Sequence, residues 1–197
     1  MGLQDRIIWV FALGLGMAEA GSTLSLTVML YNEADIPAAT WADAKLFAAK
    51  SYRAAGIEVS WVECASSLEN TQRFRACDQA SDRHQPVLKI IPEAIAAGIG
   101  TGDSVDALGI AGVSAAFVSY VRVRQKARLW GVSEYVVLGR TMAHELGHLL
   151  LGENSHAGRG LMKSRFGKKD LAPESGQFLF EPEQVARLRD FLNRRPD

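Results

Sequence analysis

Three of the four histidines in this chain stand in one short stretch, "HELGHLLLGENSH", which runs from His144 to His156. On an α-helix, residues four apart lie about 40° from one another around the axis and one turn apart along it. His144 and His148 therefore point the same way and can grip one ion. Glu145 sits about 100° from His144 and about 60° from His148 by the same geometry. That is close enough to reach a water on the ion without ligating the ion itself. Two neutral imidazoles beside a carboxylate suit hydrolysis by Zn2+: the ion acidifies a water and the carboxylate takes its proton.

H-E-x-x-H also arises by chance, so its setting carries the weight. Here the motif falls on a predicted amphipathic helix that starts near Ser133 and stops at Gly152. Val136, Ala143, Leu146 and Leu150 form its expected core-facing stripe, with the histidines on a different face. His156, four residues past Gly152, is the expected third ligand, because zinc takes nitrogen readily and the intervening turn is short. The alternatives are Glu153, or a glutamate further on such as Glu174 or Glu181. His84 lies far away among polar residues and reads as a surface side chain.

The remaining chain must position this helix. "LSLTVMLY" (Leu24 to Tyr31) reads as a first strand. A helix follows, in which Trp41, Ala44, Phe47, Ala48, Tyr52 and Ala55 recur at helical spacing, with Thr40 as its cap and Gly56 as its end. "IEVSWVEC" and "VLKIIP" read as the second and third strands, and "AAFVSYVRV" (Ala115 to Val123) as the fourth. "EPEQVARLRDFLN" reads as a last helix, with Pro182 in its first turn and Val185, Leu188, Phe191 and Leu192 facing inward. This order predicts one α/β (α+β) domain over residues 21–197, with a mixed, twisted sheet, an active-site helix and a C-terminal helix.

The glycine-rich passage "GIGTGDSVDALGIAG" lacks the Gly-Lys-Ser/Thr of a phosphate-binding loop, so nucleotide binding is not expected. Its Asp103 and Asp106 read as solvated carboxylates, since calcium asks for six or more oxygen ligands.

Residues 1–20 have another character. Arg6 precedes an apolar run from Ile7 to Met17, and Ala18-Glu19-Ala20 follows, as in a secretory signal peptide. The run is too short for a membrane-spanning helix, which needs about 20 residues, so no span is expected after cleavage. No sizeable inhibitory propeptide is expected between this segment and the first strand. Cys64 and Cys77 are the only cysteines and lack C-x-x-C spacing, so they read as a disulfide rather than zinc ligands. Export to the periplasm or the medium is the matching expectation. Formal net charge is +0, which gives no electrostatic case for nucleic acid. Nothing in the pattern sets an oligomeric state.

The stretch resembles the metzincin zinc metalloproteases, whose signature is H-E-x-x-H-x-x-G-x-x-H followed by a methionine turn. His144, Glu145 and His148 match it. Gly152 and His156 match with one extra residue before the glycine and one more after it, and "GLM" places Met162 where the methionine turn falls. The resemblance implies zinc held by His144, His148 and His156, Glu145 as general base, and Met162 as an apolar floor beneath the metal. It also implies a peptide or protein substrate lying along the sheet's edge strand, for which Ala115 to Val123 is the candidate. No tyrosine follows Met162, and Tyr120 and Tyr135 precede the motif, so oxyanion stabilisation falls to the zinc and backbone groups. The expected function is that of an exported zinc-dependent endopeptidase. The alternatives are a secreted, non-catalytic zinc-binding module and, less favoured, hydrolysis of a non-peptide amide by the same apparatus.

Overall fold

The computed structural model describes residues 23–64, 77, 85–96, 108–112, 115–152, 154–171 and 178–194. Residues 1–20, expected to be a signal peptide, and His84, Asp103, Asp106, Glu153 and Glu174 lie outside the described residues. The described chain forms a single α/β domain. Its strands are β1 (Leu24–Asn32), β2 (Ile57–Cys64), β3 (Val87–Ile91), β4 (Gly109–Ala111) and β5 (Ala115–Ser119). Its helices are α1 (Ala38–Arg53), α2 (Tyr120–Trp130), α3 (Glu134–Leu151) and α4 (Pro182–Asn193), with a single helical turn at Glu93–Ala96.

The sheet order is β2-β1-β3-β5-β4. Pairing is parallel throughout except at β4, which runs antiparallel to β5 with Gly109 opposite Val118 and Ala111 opposite Ala116. The mixed sheet expected from the sequence is therefore present. Successive side chains along β1 divide between its two faces. Leu26, Val28 and Leu30 enter the main core, while Met29 packs on the other side with Cys64 and Cys77. Those two cysteines form a disulfide with a Cα–Cα distance of 5.9 Å. It ties the end of β2 to a position 13 residues further on. Closing a loop of that size stabilises the fold by about 3 kcal/mol in the chain-entropy treatment.

Helix α1 begins one turn earlier than Thr40 suggests. Pro37 is its N-cap, and the Asn32 side chain accepts from Ile36 N at 3.2 Å to shape the entry. Gly56, with φ +75°, turns the chain directly into β2. Trp41, Ala44, Ala48 and Tyr52 are buried, as their spacing predicts. The Tyr52 hydroxyl donates to the Ala143 carbonyl at 2.9 Å, fixing α1 to α3 beside the histidine motif.

Two expectations need correction. The fourth predicted strand ends at Ser119, not Val123, because Ser119 caps α2 by accepting from Arg122 N at 3.5 Å. Tyr120, Val123 and Ala127 then bury at helical spacing. That strand, β5, is also not an edge: β3 pairs on one side and β4 on the other. The edge belongs to β4, from the glycine-rich passage read as loop.

Helix α3 departs from a two-faced amphipathic helix as well. It packs against α1, the strands β3, β4 and β5, and the helices α2 and α4. Burial extends almost all round it, taking in Val137, Leu138, Arg140, His144 and Glu145, whereas Val136 is only half-buried. In α4, Leu188 and Leu192 face inward as expected, Val185 is half-buried, and Phe191 is exposed.

Candidate metal centre

Three sequence signals shape α3 around the site. Ser133 occupies the N-cap position, though its side chain makes no capping bond, and Glu134 stands in the first turn, where a negative charge complements the helix dipole. Glu134 is held there by the Tyr120 hydroxyl, which donates to it at 2.7 Å, and by Arg124 at 3.5 Å. At the other end, Gly152 adopts φ +91° and releases the chain into the turn that carries His156 back over the helix.

The three histidines converge. His148 Nε2 lies 3.1 Å from His144 Nε2 and 3.1 Å from His156 Nε2. One donor atom from each of the three falls within 4.8 Å of the other two. Nitrogens bound at about 2.0–2.1 Å to one tetrahedral ion stand about 3.3 Å apart, so this spacing fits a shared cation.

The other ring nitrogens settle the tautomers. His144 Nδ1 lies 2.8 Å from the Leu161 carbonyl, which only accepts, so Nδ1 carries the hydrogen. His148 Nδ1 lies 2.9 Å from Ser155 Oγ, whose own hydrogen goes to the Gly152 carbonyl at 2.7 Å; again Nδ1 is the donor. Both Nε2 lone pairs therefore face one point. Lone pairs that close repel one another unless a cation lies between them. Such outer hydrogen bonds also raise the basicity of ligating imidazoles.

Electrostatics favour the same state. Burial pushes the His144 pKa down to about 3, with the Leu161 bond opposing and His148, His156 and Arg140 adding to the fall. Burial also lowers His148, helped by His156. Neutral imidazole is the form a metal binds. Burial pushes Glu145 the other way, up to about 8. Its carboxyl is covered by the edge strand: a Cβ on Gly109 would stand 2.6 Å from Glu145 Cγ and 2.8 Å from Oε1.

Met162 is fully buried. Its carbonyl accepts from Ala157 N at 2.8 Å, closing the turn that follows His156, and its thioether packs against Gly147 of α3. Of the rival ligands, Glu181 is engaged elsewhere. It caps α4 in a reciprocal pair with Gln184 and accepts from Arg159 Nε at 2.9 Å.

The structure adds residues the sequence did not single out. Arg140, fully buried one turn before His144, donates to the Gly160 carbonyl at 3.2 Å and stacks its guanidinium over Phe166 at 4.4 Å. Burial lowers its pKa to about 10, with Asp170 opposing, so it stays charged at neutral pH. Ser155 and Gln184 join it in holding the turn. Arg140 lies four residues before His144, and that spacing was a usable signal for it. Gly109, Ser155 and Gln184 reach the site only through tertiary folding.

Comparison with known proteins yields no match, either to a family model or to a curated protein. The reading of the site rests on its own geometry.

Proposed function

We infer that this chain is a zinc-dependent hydrolase of peptide bonds, with His144, His148 and His156 as ligands and Glu145 as general base. The observation that carries this reading is the convergence of three imidazole Nε2 atoms beside a buried glutamate. Three protein nitrogens leave a tetrahedral ion one open position, which distinguishes a catalytic site from a closed structural one. Zinc bound there supplies Lewis acidity, polarising a carbonyl and lowering the pKa of water.

The protein's own residues do the rest. Burial alone keeps Glu145 largely protonated near pH 7, and the positive charge of a bound zinc would favour its ionised form. That carboxylate would take a proton from the attacking water and return it to the departing amine nitrogen. Gly109, by lacking a side chain, lets the edge strand close over that carboxylate. On the side where no strand among the described residues pairs with it, β4 would offer backbone groups to an extended peptide, and Ile110 stands partly exposed. Met162 floors the site through its contact with Gly147. The disulfide suits an oxidising, extracellular compartment, and no helix among the described residues is long and apolar enough to cross a membrane. Delivery by the segment 1–20 completes the proposal.

The test is cleavage of a diverse peptide mixture by the zinc-loaded, disulfide-bonded protein beside Glu145→Gln. Cuts made by the wild type and lost in the variant, with zinc retained in both, support the reading. Equal activity in the two removes Glu145 from the mechanism. No cuts from a folded, zinc-loaded wild type favour the non-catalytic zinc-binding module or a non-peptide amide substrate.

A further inference from the structure

The turn that carries His156 is held from behind by α4, through side chains that touch no ligand atom. Gln184 is buried, with 7% of its surface exposed, and both ends of its amide are engaged. Its Oε1 accepts from Glu181 N at 3.1 Å, so its Nε2 must face the other way, and it donates to the Ser155 carbonyl at 2.9 Å. That carbonyl belongs to the peptide group joining Ser155 to His156. On one side of this peptide group the Ser155 hydroxyl accepts from His148 Nδ1 at 2.9 Å; on the other, the chain enters the third histidine. Ser155 is itself 2% exposed, so no bulk water stands ready to replace either bond. One turn further along α4, Arg187 donates to the Leu151 carbonyl at 2.6 Å, at the negative end of α3.

We propose that Gln184 is a positioning residue for the metal centre: by fixing the Ser155–His156 peptide group, it sets both the tautomer of His148 and the placement of His156. The proposal rests on the metal reading above and extends it to a residue outside the ligand stretch. An amide is the group the position calls for. It must accept from the Glu181 N–H through one atom and donate to a carbonyl through another, which a carboxylate or an aliphatic chain of similar length does not do. Outer partners of ligating histidines govern metal affinity by about 10–100-fold.

The experiment uses the full chain with its disulfide formed, and the variants Gln184→Glu, Ser155→Ala and Ser155→Thr. At neutral pH, Gln184→Glu keeps an oxygen for the Glu181 N–H but has no hydrogen for Ser155, separating the relay from the helix cap. Zinc affinity, read by competition with a chelator, is expected to fall about 10–100-fold in Gln184→Glu and in Ser155→Ala. Ser155→Thr, which keeps the hydroxyl, is expected to restore most of it. The double variant Gln184→Glu with Ser155→Ala should lose less than the two single losses combined, because the residues act in series.

The second readout needs no metal. Nitrogen NMR of the His148 ring in the metal-free protein is expected to show hydrogen on Nδ1 in the wild type, and a mixture of tautomers in Gln184→Glu and Ser155→Ala. A Gln184→Glu protein that keeps the wild-type tautomer and zinc affinity overturns the relay, whatever its melting temperature. Failure of the wild type to bind zinc overturns the metal reading instead, and the tautomer comparison still decides the relay.

Discussion

The Met162 sulfur lies against the bare backbone of Gly147: a Cβ there would stand 2.5 Å from Met162 Sδ and 3.2 Å from its Cε. The thioether has little room to retreat, since Phe180 Cε1 would lie 3.3 Å from the same Cβ and Met162 is fully buried. A side chain on the residue before His148 therefore competes with Met162 for one space. Alanine in a helix gains up to about 1 kcal/mol over glycine, but overpacking a filled core costs about 1–3 kcal/mol. Gly147→Ala is expected to destabilise the protein by about 1–2 kcal/mol. Adding Met162→Ala should cost less in that background than in the wild type, a coupling that denaturant unfolding of the two singles and the double would read.

Gly109 stands in the same relation to Glu145. With a Cβ 2.6 Å from Glu145 Cγ, Gly109→Ala must move either the carboxylate or the edge strand. The three atoms nearest that Cβ all belong to Glu145 and none to a histidine. Zinc binding is expected to survive within a few-fold, while turnover falls by about 100-fold or more, the scale of a misplaced general base. Loss of zinc and turnover together would show that the edge strand supports the ligands rather than the base.

Metal removal should register as lost stability. A ligand that binds only the folded chain stabilises it by about 4 kcal/mol at a thousandfold excess over its dissociation constant. Chelation is therefore expected to lower the melting temperature, and restored zinc to raise it again. In His148→Ala, which removes the ligand nearest both others, the chelator should change nothing.

Asp170 gives the fold a pH dependence of known sign. Burial alone would raise its pKa, but the Gly167 N–H, the Lys163 ammonium and Arg140 outweigh it, and the pKa is lowered. A carboxylate whose folded pKa lies below its unfolded value contributes stability that is present above the unfolded value and lost as pH falls through the folded one. Lys163 Nζ reaches both Asp170 oxygens at 3.0 Å, and Gly167 N donates at 2.8 Å, so this pair anchors the segment just past Met162. Asp170→Asn is expected to cost about 1–3 kcal/mol at pH 7, with the difference from wild type shrinking as both are melted at progressively more acid pH. A constant gap down to pH 2.5 would show that the carboxylate's charge is not what holds the segment.

What the sequence disclosed follows from the range of the interactions involved. His144, Glu145 and His148 were legible because one turn of helix is set by local geometry alone. The disulfide was legible because only one pairing of two cysteines exists, and Gly56 and Gly152 announced their turns by residue type. β4 was not: three residues, Gly-Ile-Ala, offer no alternation to read. The end of β5 was misplaced because Tyr120 to Val123 suits a strand by composition, and only the Ser119 cap and the spacing of Tyr120, Val123 and Ala127 turn it into a helix. The near-complete burial of α3 depends on α1, α2, α4 and the sheet closing around it, which no pattern within α3 encodes. Ser155 and Gln184 are 29 residues apart, and their meeting is a property of the folded chain.

The bonds that α4 makes to the His156 turn also tie the candidate site to distant parts of the chain. His144 and His148 are neighbours as soon as α3 forms, but the turn bearing the third histidine is pinned by Gln184 and Arg187, on the last helix among the described residues. Arg189 of that helix donates at 3.3 Å to Ala55, across 134 residues, at the junction of α1 and β2. One helix thus joins the start of the sheet to the turn of the third histidine, and the same contacts complete the histidine cluster. Without α4 in place, α3 alone aligns two of the three histidines; with it, all three are held in register. On the proposed metal reading, full-strength binding of the ion requires α4 to be docked, so metal affinity reports on the closure of the fold as well as on the three imidazoles.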